Sequence, residues 1–444
     1  MDRDSAGGGK RLAAPYIYDL MRLVEAADRQ GVDCQFYRSG HQALDDRCVD
    51  CFAVGPFQYH QATWREVTDD GFLKAEKRFA DVVAGGDYLA GYIAYEMGFA
   101  YEAPWWNLRL PEDGYAWRFA RICAWYEADH LARKGYIVTT GEGAEEVAAA
   151  LKDLVCAVGD NAIEGSGAPG GRLLTVEEIG EYGEWDEAGY CAQVEKILED
   201  ISAGRYYELN YTQQFEVGSP ANPVTIFSEV FRRNHPSRGF LGKFPDEVVG
   251  FASPELFLKQ CGERVYTRPI KGSLKPDTGS EEFEKLMAEH IMVVDLARND
   301  LGRVTDRGRV VVEELRTERA YGGLRHWESL IAGKTSAGRG ELLRATLPAA
   351  SITGAPKVEV VRAIADYERS ARGVYTGVCG WLWPGGDFDF NVAIRGFCAA
   401  RTAGDWRYRV GAGGAIVADS QPRAEYYEAI YKALPVISAI VSAE

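Results

Sequence analysis

The apolar positions along this chain recur with two different spacings, and each spacing predicts one type of secondary structure. Between Asp186 and Gly204 they recur every three or four residues, which places them on one face of a helix. These positions are Tyr190, Val194, Ile197, Leu198 and Ile201. Asp186 can cap the start of this helix and Gly204 can end it. A similar apolar stripe predicts a second helix over residues 141–155.

Short apolar runs elsewhere predict strands separated by helices. The predicted strands of the second half are 249–260, 264–273, 388–400 and 406–417. The first two are expected to form a hairpin, with Gly262 in the connection. Long helices are predicted at 283–301 and 422–441. Because the strands come mainly in antiparallel runs with helices between them, the predicted fold class is α+β and not a doubly wound α/β sheet.

The predicted elements fall into two regions joined by a linker. Residues 1–14 are expected to form a flexible tail, since the start of the chain has charges but no apolar core. An N-terminal region covers residues 15–158, and a C-terminal region covers 186–444. The linker is 159–185, because 159–172 is rich in Gly, Ser and Pro.

Composition excludes several classes of protein. There are 50 Lys and Arg residues against 66 Asp and Glu, so the net charge is −16. Such an acidic protein is not expected to bind nucleic acid. No apolar run approaches the ~18 residues that a membrane span needs, so no membrane association is expected. With no signal peptide at its start, the chain is expected to be cytoplasmic, with its nine cysteines reduced.

One pair of cysteines has a spacing used by metal and redox sites. Cys48 and Cys51 form a C-x-x-C motif, and His41 lies upstream of it. A zinc site would need further ligands at matching spacing, and none follows nearby. Ordinary apolar thiols are therefore favoured at these positions.

Lys271 and Glu255 are candidates for covalent and acid–base chemistry. Lys271 follows Pro269, which cannot donate to a strand ladder and so indicates an edge strand. A lysine held there is a nucleophile if apolar surroundings lower its pKa, and otherwise a solvated surface lysine. If the predicted hairpin brings Glu255 near Lys271, this carboxyl group can act as a general acid. A surface ion pair is the alternative.

Three glutamates on two predicted helices are candidate metal ligands. Glu289 lies on the first long helix, and Glu425 and Glu428 share a face of the last one. Carboxylates with few other ligands suit a magnesium ion that keeps waters and binds an anionic substrate. Solvated surface carboxylates are the alternative. The polar cluster 295–300 at the end of the first long helix is more typical of a structural lock.

Two small-residue turns and two basic side chains complete the candidates. The backbone N–H groups of residues 351–357 and 410–416 can hold a carboxylate, although neither turn has P-loop or dinucleotide-binding spacing. Arg395 interrupts an apolar strand, and a buried arginine needs an anion, either a structural Asp or a substrate carboxylate. His326 can be an acid–base group or a satisfied core histidine.

The order of these motifs resembles that of the chorismate-utilising enzymes. The motifs are SPELFL, PIKGS, AEHIMVVDLARNDLGRV, SITGAPK, RGVYTG, DFNVAIR and GAGGAIVADSQPRAEYYE. This family contains the large subunits of anthranilate synthase and aminodeoxychorismate synthase, and isochorismate and salicylate synthases. The resemblance is dense from Phe251 to Glu428 and looser before that. It implies a large two-subdomain α+β fold with facing antiparallel sheets and outer helices, and a cleft for chorismate and magnesium.

The resemblance also implies roles for individual residues. Glu289 and Glu428 match the Mg²⁺ ligands, with Glu425 close by, and His326 matches the family's active-site histidine. Tyr375 and Arg395 match positions that hold the enolpyruvyl carboxylate. The full implied substrate-binding set is Ser273, Thr353, Gly354, Ala355, Tyr375, Arg395, Gly411, Ala412, Gly413 and Lys432.

Within the family, PIKGS is closest to component I of aminodeoxychorismate synthase, which usually has PIKGT where anthranilate synthases have PIAGT. The resemblance then implies that Lys271 attacks C2 of chorismate while Glu255 protonates the departing C4 hydroxyl. Ammonia adds at C4 and expels the lysine, which yields 4-amino-4-deoxychorismate for p-aminobenzoate and folate synthesis. The attacking amine must be neutral, so Lys271 should have a lowered pKa or a base beside it.

Nothing in the sequence resembles a glutamine amidotransferase, so a separate subunit is expected to supply ammonia. Some relatives bind tryptophan in the N-terminal region, structurally or as an inhibitor, and the sequence does not decide whether this chain does. The enzyme alternatives are anthranilate synthase component I, disfavoured by Lys271, and an isochorismate-type synthase, which activates water with a base elsewhere. A silent chorismate-binding subunit is the non-enzyme alternative. A silent copy would be expected to have lost Lys271, Glu255, Glu289 or Glu428.

Overall fold

The structure is a computed structural model, and it describes residues 10–39, 49–70, 72–99, 109–159, 172–274, 280–306, 309–321, 324–402 and 404–443. Within these ranges the strands form two antiparallel sheets, of 11 and 10 strands. The predicted α+β class is therefore confirmed. None of the helices in these ranges has the length and apolar character to span a bilayer.

The strands and helices are numbered in chain order. The strands of the first half are β1 Lys10–Ala14, β2 Cys34–Arg38, β3 Val49–Val54, β4 Gln58–Thr63, β5 Tyr88–Ile93, β6 Tyr115–Ile122, β7 Ala124–Asp129, β8 Lys134–Thr139 and β9 Glu208–Ser219. The next are β10 Gly239–Lys243, β11 Glu247–Phe251, β12 Leu256–Cys261, β13 Arg264–Arg268, β14 Ile270–Leu274, β15 Val311–Tyr321 and β16 Leu324–Lys334. The last are β17 Gly354–Ala355, β18 Val378–Leu382, β19 Phe388–Val392, β20 Gly396–Arg401 and β21 Trp406–Val417.

The helices are α1 Met21–Arg29, α2 Trp64–Asp70, α3 Phe72–Ala84, α4 Ala144–Gly159, α5 Val176–Gly180, α6 Glu187–Ser202, α7 Pro223–Asn234, α8 Ser280–Gly302, α9 Arg339–Thr346, α10 Lys357–Tyr367 and α11 Pro422–Val441.

Both sheets combine strands from the two ends of the chain. The first sheet has the order β1-β8-β7-β3-β2-β10-β11-β20-β21-β9-β17. The second has the order β14-β16-β13-β12-β19-β18-β5-β6-β4, with β15 also paired to β16. The N-terminal region thus joins the C-terminal region in each sheet, through β2–β10 in the first and β5–β18 in the second.

The two sheets face each other, and the helices pack on their outer faces. Neighbouring residues of β2 show this arrangement, since side chains alternate along a strand. Phe36 packs against Phe227 and Phe231 of α7, on the helix side of the first sheet. The ring of Tyr37 points the other way and lies 6.4 Å from that of Trp381, on the second sheet.

Elements with local signals form where the sequence predicts them. The carboxylate of Asp186 accepts a hydrogen bond from the backbone of Gly189 at the start of α6, and Gly204 has φ +76° just after its end. The predicted hairpin is β12–β13, and Gly262, with φ +58°, lies in its connection.

Two predicted strands are wrong in a way that matters for the site. Each of 249–260 and 388–400 was expected to be one strand, but each crosses from one sheet to the other. In the first, β11 belongs to the first sheet and β12 to the second, with Glu255 just before β12. In the second, β19 and β20 belong to different sheets, and Arg395 lies between them with φ +61°.

The ends of the predicted regions differ in detail. Residues 10–14, expected to belong to a flexible tail, form β1 and pair with β8. Most of the Gly-rich linker lies outside the described residues, as do Cys48 of the C-x-x-C motif and the upstream His41, whereas Cys51 is buried in β3.

Candidate active site

Lys271 lies on β14, the terminal strand of the second sheet, as the edge position of Pro269 predicts. Its Nζ atom donates a hydrogen bond of 2.9 Å to Oε1 of Glu208. Glu208 begins β9 of the first sheet, and its side chain is only 1% exposed. The lysine of one sheet is therefore paired with a buried carboxylate of the other, and the sequence analysis did not name Glu208.

The pKa of Lys271 is not lowered, contrary to the first of the two expectations for this residue. Burial lowers it, but the carboxylates of Glu208 and Glu289 raise it, and the pKa lies above its ordinary value. The second expectation was a base beside the amine. The carboxylate of Glu208 lies in that position, 2.9 Å from Nζ.

Glu255 lies at the crossover between β11 and β12 and is buried. Burial raises the pKa of its carboxyl group to about 7, although the nearby Lys271 ammonium partly offsets this effect. A carboxylic acid with such a pKa can hold a proton near neutral pH and release it to a leaving group. Glu255 and Lys271 are close enough to interact electrostatically. The predicted strand 264–273 is split at Pro269, however, and Lys271 lies on β14, which pairs with β16 and not within the predicted hairpin.

Arg395 lies at the other crossover, between β19 and β20, and is half-buried. Among the described residues, its guanidinium makes no hydrogen bond or ion pair with a side chain. Burial lowers its pKa, while nearby Tyr375 and Glu428 act in the opposite direction. The structural Asp that the sequence left open is therefore not found there, and the substrate-carboxylate interpretation gains support.

Tyr375 is buried next to the backbone of β21. A Cβ atom at Gly411 would lie 2.1 Å from Cδ1 of the Tyr375 ring, so only glycine allows this contact. A Cβ atom at Gly413 would lie 2.0 Å from the carbonyl oxygen of Tyr211 on β9. The side chain of Ala412 belongs to the helix-side core, so only its backbone is available to a ligand.

The start of α11 brings two carboxylates together above β21. A Cβ atom at Gly414 would lie 3.1 Å from Oε1 of Glu428 and 3.3 Å from Oε2 of Glu425. The Nζ atom of Lys432 donates to Glu428 at 2.5 Å and to the carbonyl of Gly413 at 2.7 Å. The Lys432 ammonium lowers the pKa of Glu428, which keeps this carboxyl group ionised.

Lys271 is the common neighbour of four carboxyl groups. Glu208, Glu289 and Glu255 each raise its pKa, and Lys271 in turn lowers the pKa of Glu428. Across the described part of the chain, no group of three or more His, Cys, Asp or Glu side chains is arranged to hold a metal ion. Magnesium often binds through only one or two carboxylates and keeps its other positions for water or substrate, so the magnesium site stays a prediction.

The turn before α10 packs closely against the backbone of Glu208, the residue whose carboxylate contacts Lys271. Gly354, with φ +133°, approaches β9 so closely that a Cβ atom would lie 2.1 Å from the carbonyl oxygen of Glu208. Ala355 accepts a hydrogen bond from the backbone of Tyr207, and the hydroxyl of Thr353 donates to the carbonyl of Ala349. The substrate contacts implied for 353–355 stay predictions.

His326 is buried on β16, directly opposite Ser273 on β14. The structure describes the backbone of Ser273 but not its side chain. His326 therefore lies on the strand that pairs with β14. Its predicted acid–base role stays a prediction.

The polar cluster at the end of α8 is linked to another helix, because Lys357 of α10 donates a hydrogen bond to Oδ2 of Asp300 at 2.5 Å. This contact agrees with a structural lock.

A second group that the sequence analysis missed lies behind Tyr375. Arg372 donates from Nη2 to the carboxylate of Glu368 at 2.7 Å and to the carbonyl of Asn210 at 2.6 Å. Its Nη1 donates to the carbonyl of Ile352 at 2.8 Å. The only signal in the sequence is the charge of Arg372 within RGVYTG, which does not reveal these partners.

Comparison with known proteins identifies related chains. Over 271 residues the chain is 35% identical to anthranilate synthase component 1 of Streptomyces coelicolor, and the match covers 58% of this chain and 52% of the relative. Over 287 residues it is 33% identical to aminodeoxychorismate synthase component 1 of Bacillus subtilis, covering 62% and 60%. The chain thus spans about half of the length of the first of these relatives.

Solved structures share the fold. Anthranilate synthase component I of Streptococcus pneumoniae superimposes with a TM-score of 0.66 at 22% identity, over 96% of this chain and 92% of that one. The menaquinone-specific isochorismate synthase of Escherichia coli gives 0.68 at 16% identity, over 97% and 94%. The family model described as chorismate binding enzyme matches residues 34–438. The chain therefore belongs to the chorismate-binding enzymes.

Proposed function

We propose that this protein is component I of aminodeoxychorismate synthase and converts chorismate and ammonia to 4-amino-4-deoxychorismate. The observation that supports this choice is the largely buried amine of Lys271 near Glu255, a carboxylic acid whose pKa is about 7. The names of the relatives do not decide the reaction, since they include both anthranilate and aminodeoxychorismate synthases.

In the proposed reaction, Lys271 Nζ attacks C2 of chorismate and the ring double bonds shift. The C4–O bond breaks, and Glu255 donates its proton so that water leaves. Ammonia then adds at C4, the double bonds shift back, and the C2–N bond to the lysine breaks. The proton that ammonia loses returns to Glu255. Arg395 and Tyr375 are the proposed contacts of a substrate carboxylate during both steps.

Glu289 and Glu428, with Glu425 nearby, are the proposed ligands of Mg²⁺. Their oxygen atoms are of the type that this ion prefers. The ion would supply positive charge for the ring carboxylate in a cleft that is rich in glutamates. We further propose that a separate glutamine amidotransferase provides the ammonia in the cytoplasm, for p-aminobenzoate synthesis.

The test is product analysis by mass spectrometry after incubation with chorismate, Mg²⁺ and ammonium. The parent protein is expected to form 4-amino-4-deoxychorismate. The Lys271→Ala variant should lose at least about 100-fold in rate, because it lacks the nucleophile. Lys334→Ala, which removes an exposed lysine of neighbouring β16, should keep the parental rate.

Other products would contradict the proposal in different ways. Anthranilate from the parent protein would identify an anthranilate synthase, the activity named for several relatives. Isochorismate would show that water is the nucleophile. Chorismate that binds but stays unchanged would support the silent binding subunit.

A further inference from the structure

The amine of Lys271 must lose a proton before it can attack, and one carboxylate is placed to take it. We propose that Glu208 is the catalytic base that accepts this proton and later returns it. This inference rests on the proposed function, because it concerns the same lysine nucleophile. The group is on the other sheet and 63 positions away in sequence.

The contact between the two groups is direct and shielded from water. Nζ of Lys271 donates to Oε1 of Glu208 over 2.9 Å, and the exposed fractions of the two side chains are 12% and 1%. Within the described residues, Lys271 is the one side chain that forms a hydrogen bond or ion pair with the Glu208 carboxylate. A short contact in a low-dielectric site favours proton transfer within the pair over exchange with solvent.

The other carboxyl groups near Lys271 have different tasks. Glu255 has a raised pKa and holds a proton, which suits a donor and not an acceptor. Glu428 is already paired with Lys432. Glu289 belongs to the proposed metal ligands. Glu208 is therefore the acceptor that remains.

The backbone keeps Glu208 in place. It pairs with Val417 of β21 on one side and with Ala355 of β17 on the other. The backbone of Gly354 packs directly against the backbone of Glu208, so β17 and β9 are in close contact there. A base held on both sides can meet the amine without a rearrangement that would slow the reaction.

The proton balance closes over one turnover. The resting pair is an ammonium and a carboxylate; one proton moves from Nζ to Glu208, and the free amine attacks C2. The nitrogen bound to C2 is then a secondary ammonium. When ammonia displaces it, Lys271 leaves as a neutral amine and regains the proton from Glu208, which restores the ion pair.

The Glu208→Gln variant tests this role, because its amide oxygen can still accept a hydrogen bond from Lys271 but cannot accept its proton. The parent protein is incubated with chorismate and Mg²⁺ without ammonium, and intact-protein mass spectrometry follows the adduct of chorismate minus water. Adduct formation in the variant is expected to be at least about 100-fold slower, with chorismate affinity within about threefold of the parent. Glu216→Gln, an exposed glutamate on the same strand, is the matched control and should react normally.

The outcomes separate this inference from the proposed function. An adduct that forms at the parental rate or faster in Glu208→Gln would show that Glu208 is not the base, while the lysine nucleophile would stand. A parent protein that forms neither adduct nor 4-amino-4-deoxychorismate would overturn both. If the Gln variant does not fold, Glu208→Asp decides: the shorter base should slow adduct formation about tenfold, and an unchanged rate would contradict its role.

Discussion

At the scale of single residues, the site combines the guanidinium of Arg395 with several carboxyl groups. Arg395 lies at a sheet crossover, where its guanidinium makes no hydrogen bond or ion pair with a side chain of the described residues. Burial lowers its pKa, although the Glu428 carboxylate is near enough to act in the opposite direction. A partly buried guanidinium without a hydrogen-bonded anion can gain by binding one. The enolpyruvyl carboxylate of chorismate is an anion that can accept charge-assisted hydrogen bonds from this guanidinium.

Replacing Arg395 should therefore weaken substrate binding more than it weakens the fold. The Arg395→Gln variant is expected to bind chorismate about 10- to 100-fold less tightly, because a charge-assisted hydrogen bond contributes about 1.5–3 kcal/mol. Calorimetric titration measures the affinity, and thermal unfolding should change little. Arg407→Gln, at an exposed arginine of β21, is the control. Equal affinities for Arg395→Gln and the parent would rule out the proposed contact.

The pKa of Glu255 predicts the pH dependence of the first chemical step. Since burial raises this pKa to about 7, the required acid form is present below pH 7 and is lost as the pH rises above it. The rate of adduct formation without ammonium should fall about tenfold per pH unit on the alkaline side. Rapid-quench measurements between pH 6 and 9 test this, and a rate that stays constant over the range would exclude Glu255 as the proton donor.

At the scale of elements, crossovers and turns bring the reacting groups together. The chain passes from one sheet to the other between β11 and β12, and again between β19 and β20. Backbone hydrogen bonds join these two crossovers. The backbone of Ala252 donates to Arg395, and that of Val392 donates to Glu255. A rigid backbone at both crossovers holds the acid and the cation in a constant relation.

The turn that contains Gly354 should be the most sensitive element of this arrangement. Gly354→Ala places a Cβ atom against the Glu208 carbonyl and requires a left-handed φ that alanine disfavours. The free energy of unfolding should fall by about 2–4 kcal/mol, together with adduct formation. Urea denaturation measures the first quantity.

Gly218→Ala is the matched control for that substitution. It lies on the same strand as Glu208, and no atom lies within 4 Å of its added Cβ. It should change stability by less than about 1 kcal/mol. Equal denaturation midpoints for the two variants would contradict the bracing role of Gly354.

At the scale of the whole molecule, a buried ion pair links the two sheets next to Tyr375. Arg372 pairs with Glu368 and reaches the Asn210 carbonyl of β9 in the first sheet. The Arg372 backbone donates to Glu96, which follows β5 of the second sheet. Glu368 also accepts from the backbone of Thr212. The sheets are thus held at a constant spacing where Tyr375 enters the site.

Removing this arginine should destabilise the whole protein. Arg372→Met leaves the Glu368 carboxylate buried without its cation, so the free energy of unfolding should fall by about 3–5 kcal/mol. Arg298→Met, which breaks an exposed ion pair with Asp295, should cost less than about 1 kcal/mol. Guanidinium denaturation compares the two, and similar losses would show that Arg372 does not join the sheets energetically.

The amino-acid sequence by itself determined the features that depend on neighbouring residues. Helix α6 forms between its predicted cap and stop, and the β12–β13 hairpin turns at Gly262. The motifs around Lys271 predicted the family, which the match over residues 34–438 confirms. Capping, helical periodicity and glycine conformations act over a few residues, so their signals are visible in the chain itself.

Only the tertiary structure decided which sheet each segment joins and which groups meet. An alternating strand pattern reports that one face is buried, but not against which sheet, so the crossovers at Glu255 and Arg395 were missed. The pairing of Lys271 with Glu208, and of Arg372 with Glu368 and Asn210, depends on long-range packing of β9 and β14. A charged residue in a strand has no visible partner until folding places an opposite charge within a few ångströms of it.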